Sequence, residues 1–116
     1  MENQLELATL IGNPESAHLE YKAVLPPART LGQLISSFAN ADGGIIILGV
    51  AEVHGRIKVN GLSEDFRASA IIHKALDMLS PRPTVDYDNY SYTGKRVYVI
   101  QVKASPNVIS IEGKYL

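Results

Sequence analysis

Apolar residues recur at helical spacing in two early segments of the chain. Residues 2–11 carry most of their leucines and Ile11 on one side, and glutamates near the start suit the positive end of the helix dipole. Residues 29–41 offer Thr30 as an N-cap. The apolar positions of this second segment are Leu31, Leu34, Ile35 and Phe38. We therefore predict a short N-terminal helix followed by a longer second helix.

A third helix is predicted between Ser63 and Pro81. Ser63 is the expected N-cap, acidic residues fill the first turn, and Pro81 ends the segment. The side expected to face the core holds Phe66, Ala70, Ile71, Ala75, Leu76 and Leu79. The second and third segments are the two principal helices of the prediction.

Other apolar runs have the spacing of strands. In the stretch ESAHLEYK, one face holds Ala17, Leu19 and Tyr21 and the other holds His18, Glu20 and Lys22. The run from Ile45 to Val50 is apolar on both faces, as a central strand covered on each side would be. A short last strand is expected at residues 108–111. These runs predict a half-buried strand, a central strand and a closing strand.

Two hairpins complete the predicted elements. The stretch EVHGRIKVNGL turns at His54-Gly55, and a longer pair of strands turns at Thr93-Gly94-Lys95. In the last long strand, Val97, Val99 and Gln101 are expected to face away from Tyr98, Ile100 and Val102. The order of helices and strands predicts an α+β domain with a mixed β-sheet, two principal helices and β-hairpins.

Composition narrows the class of protein. A chain of 116 residues has the size of one domain and can bury a core without metal or disulfide staples. It has no cysteine, which excludes disulfides and thiolate sites, and no segment has the pattern expected of a secretory signal or a membrane span. We expect a cytoplasmic protein with no membrane partner. The net charge of −1 lacks the global positive field of proteins that coat nucleic acid, so a nucleic-acid surface would have to be local.

The stretch FANADGG resembles a phosphate-binding loop at first sight. Phosphate loops run from strand through glycine turn to helix, because the helix N-terminus attracts anions. Here the glycines follow a helix, so its electronegative C-terminus is the neighbouring end. We expect Gly43 or Gly44 to supply a left-handed turn that ends the helix and starts the central strand.

Three carboxylates and a lysine are the candidate catalytic group. Glu20 and Lys22 share a strand face, Glu15 precedes that strand, and Glu52 follows the central strand. Converging carboxylates could hold a divalent metal, and Lys22 could steady a phosphate or an attacking water. An ordinary solvated strand face with an ion pair has the same pattern and is more common. Both interpretations stay open on spacing alone.

Basic residues gather near the predicted hairpins. The candidate nucleic-acid contacts are Arg56, Lys58, Lys95, Arg96 and Lys103. Hairpin arms of this kind can reach phosphates, and Tyr90 or Tyr92 could stack on an exposed base. Ordinary solvated hairpins have the same composition, so the pattern alone is a weak indication.

The ordered series ESAHLEYK, LISSFANADGGIIILGV, Gly61-Leu62 and VYVIQVKAS resembles the Schlafen AlbA-like domain of the AlbA_2 type, which is often described as DNA-binding. The resemblance covers residues 14–116 and leaves residues 1–13 as a separate N-terminal helix. It implies a single Alba-related α+β fold. Since family domains often continue past a last strand of this kind, the resemblance also leads us to expect that the domain is part of a larger regulator or is truncated.

The resemblance supports two functions. The first is a module that binds the backbone of DNA or RNA through basic hairpins and needs no cofactor. The second is a metal-dependent endoribonuclease, in which Glu15, Glu20 and Glu52 would hold Mg²⁺ or Mn²⁺. Where the family commonly has Gly-Val-Asp-Asp, this chain has Gly49-Val50-Ala51-Glu52, which weakens the third ligand. A dimerising domain, with a second copy as partner, is a further hypothesis.

Overall fold

The computed structural model describes residues 4–63, 68–111 and 114–115. The helices are α1 (Gln4–Leu10), α2 (Ala28–Ala39) and α3 (Ala68–Asp77). The strands are β1 (Leu19–Lys22), β2 (Gly44–Leu48), β3 (Val50–Val53), β4 (Arg56–Val59), β5 (Leu79–Ser80), β6 (Val85–Tyr92), β7 (Lys95–Val102), β8 (Ser110–Ile111) and β9 (Lys114–Tyr115). None of the described helices combines the length and apolar character that a membrane span requires.

A four-stranded mixed sheet organises the fold. Its order is β1-β2-β7-β6, with β1 parallel to β2 and the other neighbours antiparallel. The β3–β4 hairpin and the small β5-β8-β9 sheet are separate from it. The predicted α+β class, the mixed sheet and the two hairpins with turns at residues 54–55 and 93–94 are confirmed.

Two hydrophobic cores lie on opposite faces of this sheet. The first core lies between the sheet and helices α2 and α3, and it includes Ile46, Leu48 and Ile100. The second core lies under α1 and the β3–β4 hairpin, and it includes Leu7 and Ile47. Strand β2 contributes side chains to both cores, which explains why its sequence is apolar at every position. The alternation predicted for β7 is also confirmed, because Val97 and Val99 belong to the second core and Tyr98, Ile100 and Val102 to the first.

The structure corrects the start of the second helix. Helix α2 begins at Ala28, and Pro27 occupies the N-cap position with no side-chain hydrogen bond, so Thr30 lies inside the helix. Proline fixes its own φ near −65° and is therefore compatible with this position. The predicted core positions hold, since Leu31, Ile35 and Phe38 are buried in the first core.

The third helix differs from the prediction in its buried face and its end. The buried residues are Ala68, Ile72, Ala75 and Leu76, whereas Ala70 is exposed. Helix α3 ends at Asp77, so Leu79 belongs to strand β5 and not to the helix. Phe66 and the expected first turn after Ser63 lie outside the described residues. The last predicted strand is shorter than expected, because Val108 is exposed and only Ser110–Ile111 pair as β8.

A glycine with a positive φ forms the turn at each end of β2. Gly43 has a φ of +85°, and its N–H donates to the Phe38 carbonyl at 2.8 Å, so it supplies the left-handed turn that the sequence predicts. Gly49 has a φ of +98°. Its N–H donates to the Lys22 carbonyl at 2.7 Å, and its carbonyl accepts from the Asn60 and Gly61 amides. Gly49 therefore marks the end of β2. Its carbonyl bonds to the residues that follow β4, so the two ends of the β3–β4 hairpin lie next to each other.

Candidate functional site

Two of the three predicted carboxylates accept backbone hydrogen bonds beside the outer edge of β1. The Tyr21 N–H donates to Glu15 Oε2 at 2.9 Å, and the Glu15 N–H donates to Glu52 Oε1 at 3.2 Å. Glu15 precedes β1 and folds back along it, while Glu52 reaches it from β3. Each carboxylate thus accepts a backbone N–H, which holds the segment before β1 and the first hairpin against the sheet.

Glu20 lies on the face of the sheet that packs against the first core. Its neighbour in the parallel register is Ile46, a residue of the first core, whereas Tyr21 belongs to the second core. The Glu20 carboxylate pairs with Lys22 Nζ at 3.3 Å, and both side chains are partly exposed. The Glu20–Lys22 ion pair is therefore present on the first-core face of β1, whereas Glu52 belongs to the hairpin that packs over the second core.

The predicted metal site needs Glu15, Glu20 and Glu52 as one donor set. In the part of the chain that the structure describes, no group of three or more His, Asp or Glu side chains is placed to hold a metal ion. Glu15 and Glu52 already accept backbone hydrogen bonds. The ligand set Glu15, Glu20 and Glu52 and the catalytic role of Lys22 stay predictions.

Sequence reasoning missed the hydroxyl of Tyr21, which ties the N-terminal segment to the sheet. It lies 3.0 Å from the Leu10 carbonyl and 2.5 Å from the Asn13 carbonyl, and it accepts from the Gly12 N–H at 3.3 Å. Burial is the main cause that raises the pKa of Tyr21, with the nearby Glu52 and Glu15 charges adding to it. The alternation of the strand indicated that Tyr21 is buried, but not which backbone groups its hydroxyl would meet.

Replacing Glu15 with alanine is expected to lower the free energy of unfolding by about 1 to 2 kcal/mol, because the Tyr21 N–H loses a charged acceptor. Replacing Glu20 with alanine removes only a partly exposed ion pair and is expected to cost less than about 1 kcal/mol. Urea denaturation of the two variants checks this order. Equal losses would contradict the structural role of Glu15.

The two basic hairpins leave the same end of the main sheet. Leu48, at the end of β2, pairs with Tyr98, near the start of β7. The first hairpin continues directly from β2 through Gly49, and the second turns at the start of β7. Arg56 and Lys58 on β4 and Lys95 on β7 are exposed. The fold thus places the cations of both hairpins at one end, which we call the hairpin end.

Arg96 connects the two hairpins at this end. Its Nε donates to Asn89 Oδ1 at 3.0 Å, and its Nη1 donates to the Ser63 carbonyl at 3.2 Å. Its own carbonyl accepts from the Leu62 N–H at 2.9 Å. The guanidinium is therefore partly engaged within the protein, and it fixes the chain that leaves the first hairpin against the second.

Lys103 lies at the opposite end of the sheet. It follows the last residue of β7, eight positions from Lys95, which corresponds to about 26 Å along a strand. Its N–H donates to the Thr84 carbonyl, before β6 begins. Four of the five predicted nucleic-acid contacts therefore share one end of the sheet, and Lys103 does not.

An open pocket of about 370 Å³ lies beside the turn of the second hairpin. It is lined by Asn89, Tyr90, Ser91, Gly94, Lys95 and Arg96. Tyr90 and Tyr92 are only half-buried and pack against the second core. The pocket brings an aromatic ring, amide groups and cations together, and these are the groups that contact bases and phosphates.

Comparison with known families identifies the domain. The model of the family described as Schlafen, AlbA_2 matches residues 15–115. The chain belongs to this family. A comparison with curated proteins gave no significant match. The two hairpins, the Gly49 junction and the hairpin end described above are thus features of an AlbA_2 domain.

Two solved structures share the fold of this AlbA_2 domain. The DIP2311 protein from Corynebacterium diphtheriae has 16% sequence identity and a TM-score of 0.65, over 95% of this chain and 23% of that chain. The N-terminal domain of an ATP-dependent DNA helicase RecG-related protein from Nitrosomonas europaea has 22% identity and a TM-score of 0.54, over 84% of this chain and 70% of that domain. The chain therefore spans less than a quarter of the length of the DIP2311 protein.

Proposed function

We propose that this AlbA_2 domain binds the sugar-phosphate backbone of DNA or RNA with its hairpin end. The observation that carries the proposal is the placement of Arg56, Lys58 and Lys95 on two hairpins that leave the same end of the sheet. The family membership and the fold shared with a domain of a RecG-related protein support a role with nucleic acid. Arg96 holds the two hairpins in position for this contact.

The proposed contact is electrostatic and independent of base sequence. The net charge of −1 means that the rest of the chain carries more acidic than basic residues, so attraction is confined to the hairpin end. Lysine and arginine side chains that neutralise phosphates release bound counterions, which gives affinity that depends steeply on salt. The pocket beside the second hairpin could in addition accept one unstacked nucleotide, with Tyr90 as the aromatic contact.

Salt dependence tests the proposed function directly. Three or four phosphate contacts predict a slope of about −3 for the logarithm of the association constant against the logarithm of salt on duplex DNA. Affinity should then fall about 50-fold to 100-fold between about 50 and 200 mM salt. Fluorescence anisotropy with duplex DNA, duplex RNA and single strands measures this. Absence of binding to all of them at low salt would refute the proposal, and added Mg²⁺ would reveal any cleavage in the same samples.

We also propose that the domain works next to other domains of a larger regulator in the cytoplasm. The supporting observation is that the chain matches only 23% of the DIP2311 protein. A domain with three or four phosphate contacts binds weakly by itself, and linkage to a second binding module would raise its effective affinity. In such a protein the hairpin end would supply affinity for the backbone and the other domains would supply the activity.

A further inference from the structure

The two outer edges of the four-stranded sheet, β1 and β6, differ in how far the rest of the chain covers their backbone groups. At the β1 edge, Leu19 exchanges hydrogen bonds with Ser16, at 3.0 Å and 3.4 Å, and the Tyr21 N–H donates to Glu15. These contacts occupy the N–H and carbonyl of Leu19 and the N–H of Tyr21, which point outward from β1. A strand edge with uncovered groups is a template on which another strand can pair, so this covering removes one such template.

Strand β6 forms the opposite edge and is eight residues long. The Lys103 N–H donates to the Thr84 carbonyl, and antiparallel pairs alternate between bonded and non-bonded residues. Val85, Tyr87, Asn89 and Ser91 therefore direct their backbone groups away from β7. Of these four, Asn89 donates its N–H to Asp88 Oδ1 at 2.8 Å, and the other three N–H groups have no partner among the described residues.

The side chains beside this edge form a pocket on each face. One pocket, of about 410 Å³, is lined by Asp86, Asp88 and Tyr90 together with neighbouring residues of β6 and β7. The other, of similar size, includes Leu76 and Tyr87 on the face that carries α3, together with Arg82, whose guanidinium pairs with Asp77. An added strand directs alternate side chains to opposite faces, so pockets on both sides of an edge suit an extended segment.

The charge of this edge selects the type of partner. Asp86 and Asp88 are exposed and lie on the same face of β6. Two copies of β6 paired antiparallel around the middle of the strand would bring these aspartates opposite or close to one another, and like charges in facing positions destabilise a strand pair. Lysine or arginine on the added strand would instead complement them. The edge therefore disfavours a second copy of this chain and favours a basic segment.

We propose that the outer edge of β6 binds an extended, basic segment of a partner protein as an additional strand. This function goes beyond the proposed nucleic-acid binding, because its charged contacts are Asp86 and Asp88 and not the cations of the hairpin end, although Tyr90 borders both pockets. The pairing would extend the main sheet by one strand and place basic side chains of the partner in the pocket beside Asp86 and Asp88.

A selection of random peptides tests the proposal without a known partner. The probe is a display library of peptides of about ten residues, a length that covers an eight-residue strand. The expected peptides are rich in lysine or arginine at alternate positions and lack proline. In ¹⁵N NMR spectra of the domain, the best peptide should shift the amides of Val85, Tyr87 and Ser91 and slow their hydrogen exchange.

Charge reversal at Asp86 tests the role of β6, and the same change at Asp42 is the matched control. Asp86→Lys should weaken binding of the selected peptide about tenfold or more, whereas Asp42→Lys, an exposed aspartate in the loop before β2, should leave it within about twofold. Both variants should keep the NMR spectrum of the folded domain. The proposal is overturned if no peptide is enriched, if peptides shift amides outside β6, or if Asp86→Lys binds as well as the parent. Self-association of the unliganded domain through β6 would also overturn it.

Discussion

Replacing Gly43 with alanine is expected to lower the free energy of unfolding by about 3 kcal/mol or more. Part of the loss is backbone strain, because a residue with a Cβ is unfavourable at a φ of +85°. The larger part is a collision, since a Cβ at this position would lie 2.7 Å from the Val102 carbonyl oxygen and 3.1 Å from the Ala104 nitrogen. Both contacts are with backbone atoms, which cannot move aside as a flexible side chain can.

Gly55→Ala is the control for this prediction. Gly55 also has a positive φ, of +78°, but a Cβ there would have no neighbour within 4 Å. Its substitution should therefore show strain alone, about 1 to 2 kcal/mol. Urea unfolding of the two variants, with unchanged slopes, gives the difference between them. A loss at Gly43 no greater than that at Gly55 would show that the end of β7 adjusts to the added methyl group.

The second large effect is expected at the hairpin end. Replacing Lys58 and Lys95 together with alanine should weaken binding to duplex DNA about tenfold to hundredfold at low salt, because each lysine is expected to neutralise one phosphate. The salt slope should become shallower by about 2. Neither substitution removes a buried group, since both side chains are exposed, so the fold should persist. Anisotropy titrations at several salt concentrations measure affinity and slope together.

Lys103 is the matched control for the hairpin end. It is an exposed lysine on the same sheet, but it lies at the other end, about 26 Å from Lys95. Lys103→Ala should change the affinity by less than about twofold and leave the slope nearly unchanged. If Lys103→Ala weakens binding as much as the loss of Lys95, the interface is not confined to the hairpin end.

Much of the fold follows from the sequence because strand alternation is a strong signal. The continuous apolar run at Ile45 to Val50 and the alternation of β7 each correspond to a strand between two cores. The face of α3 was harder to predict. Ile71 and Ile72 are adjacent, and choosing Ile71 as the core residue rotated the predicted face, although Ile72 is the one that is fully buried. Spacing on one helix cannot distinguish such neighbours without the surfaces that pack against it.

The candidate site was predictable only in part, because it depends on where loops and hairpins fold. The sequence indicated correctly that Glu20 and Lys22 share a strand face. It could not show that the segment before β1 returns along the outer edge, where Glu15 meets the Tyr21 backbone. The role of Arg96 could not be predicted for the same reason, because it depends on how the chain brings Ser63 and Asn89 to its guanidinium group.

The position of β2 between two cores has a consequence for how the domain unfolds. Ile46 and Ile47 are consecutive residues, yet one is buried beneath the two principal helices and the other beneath α1 and the first hairpin. Displacing this strand would expose both layers to water at once, so loss of β2 from the sheet unfolds both layers together. A substitution that loosens β2 is therefore expected to weaken the packing of both layers.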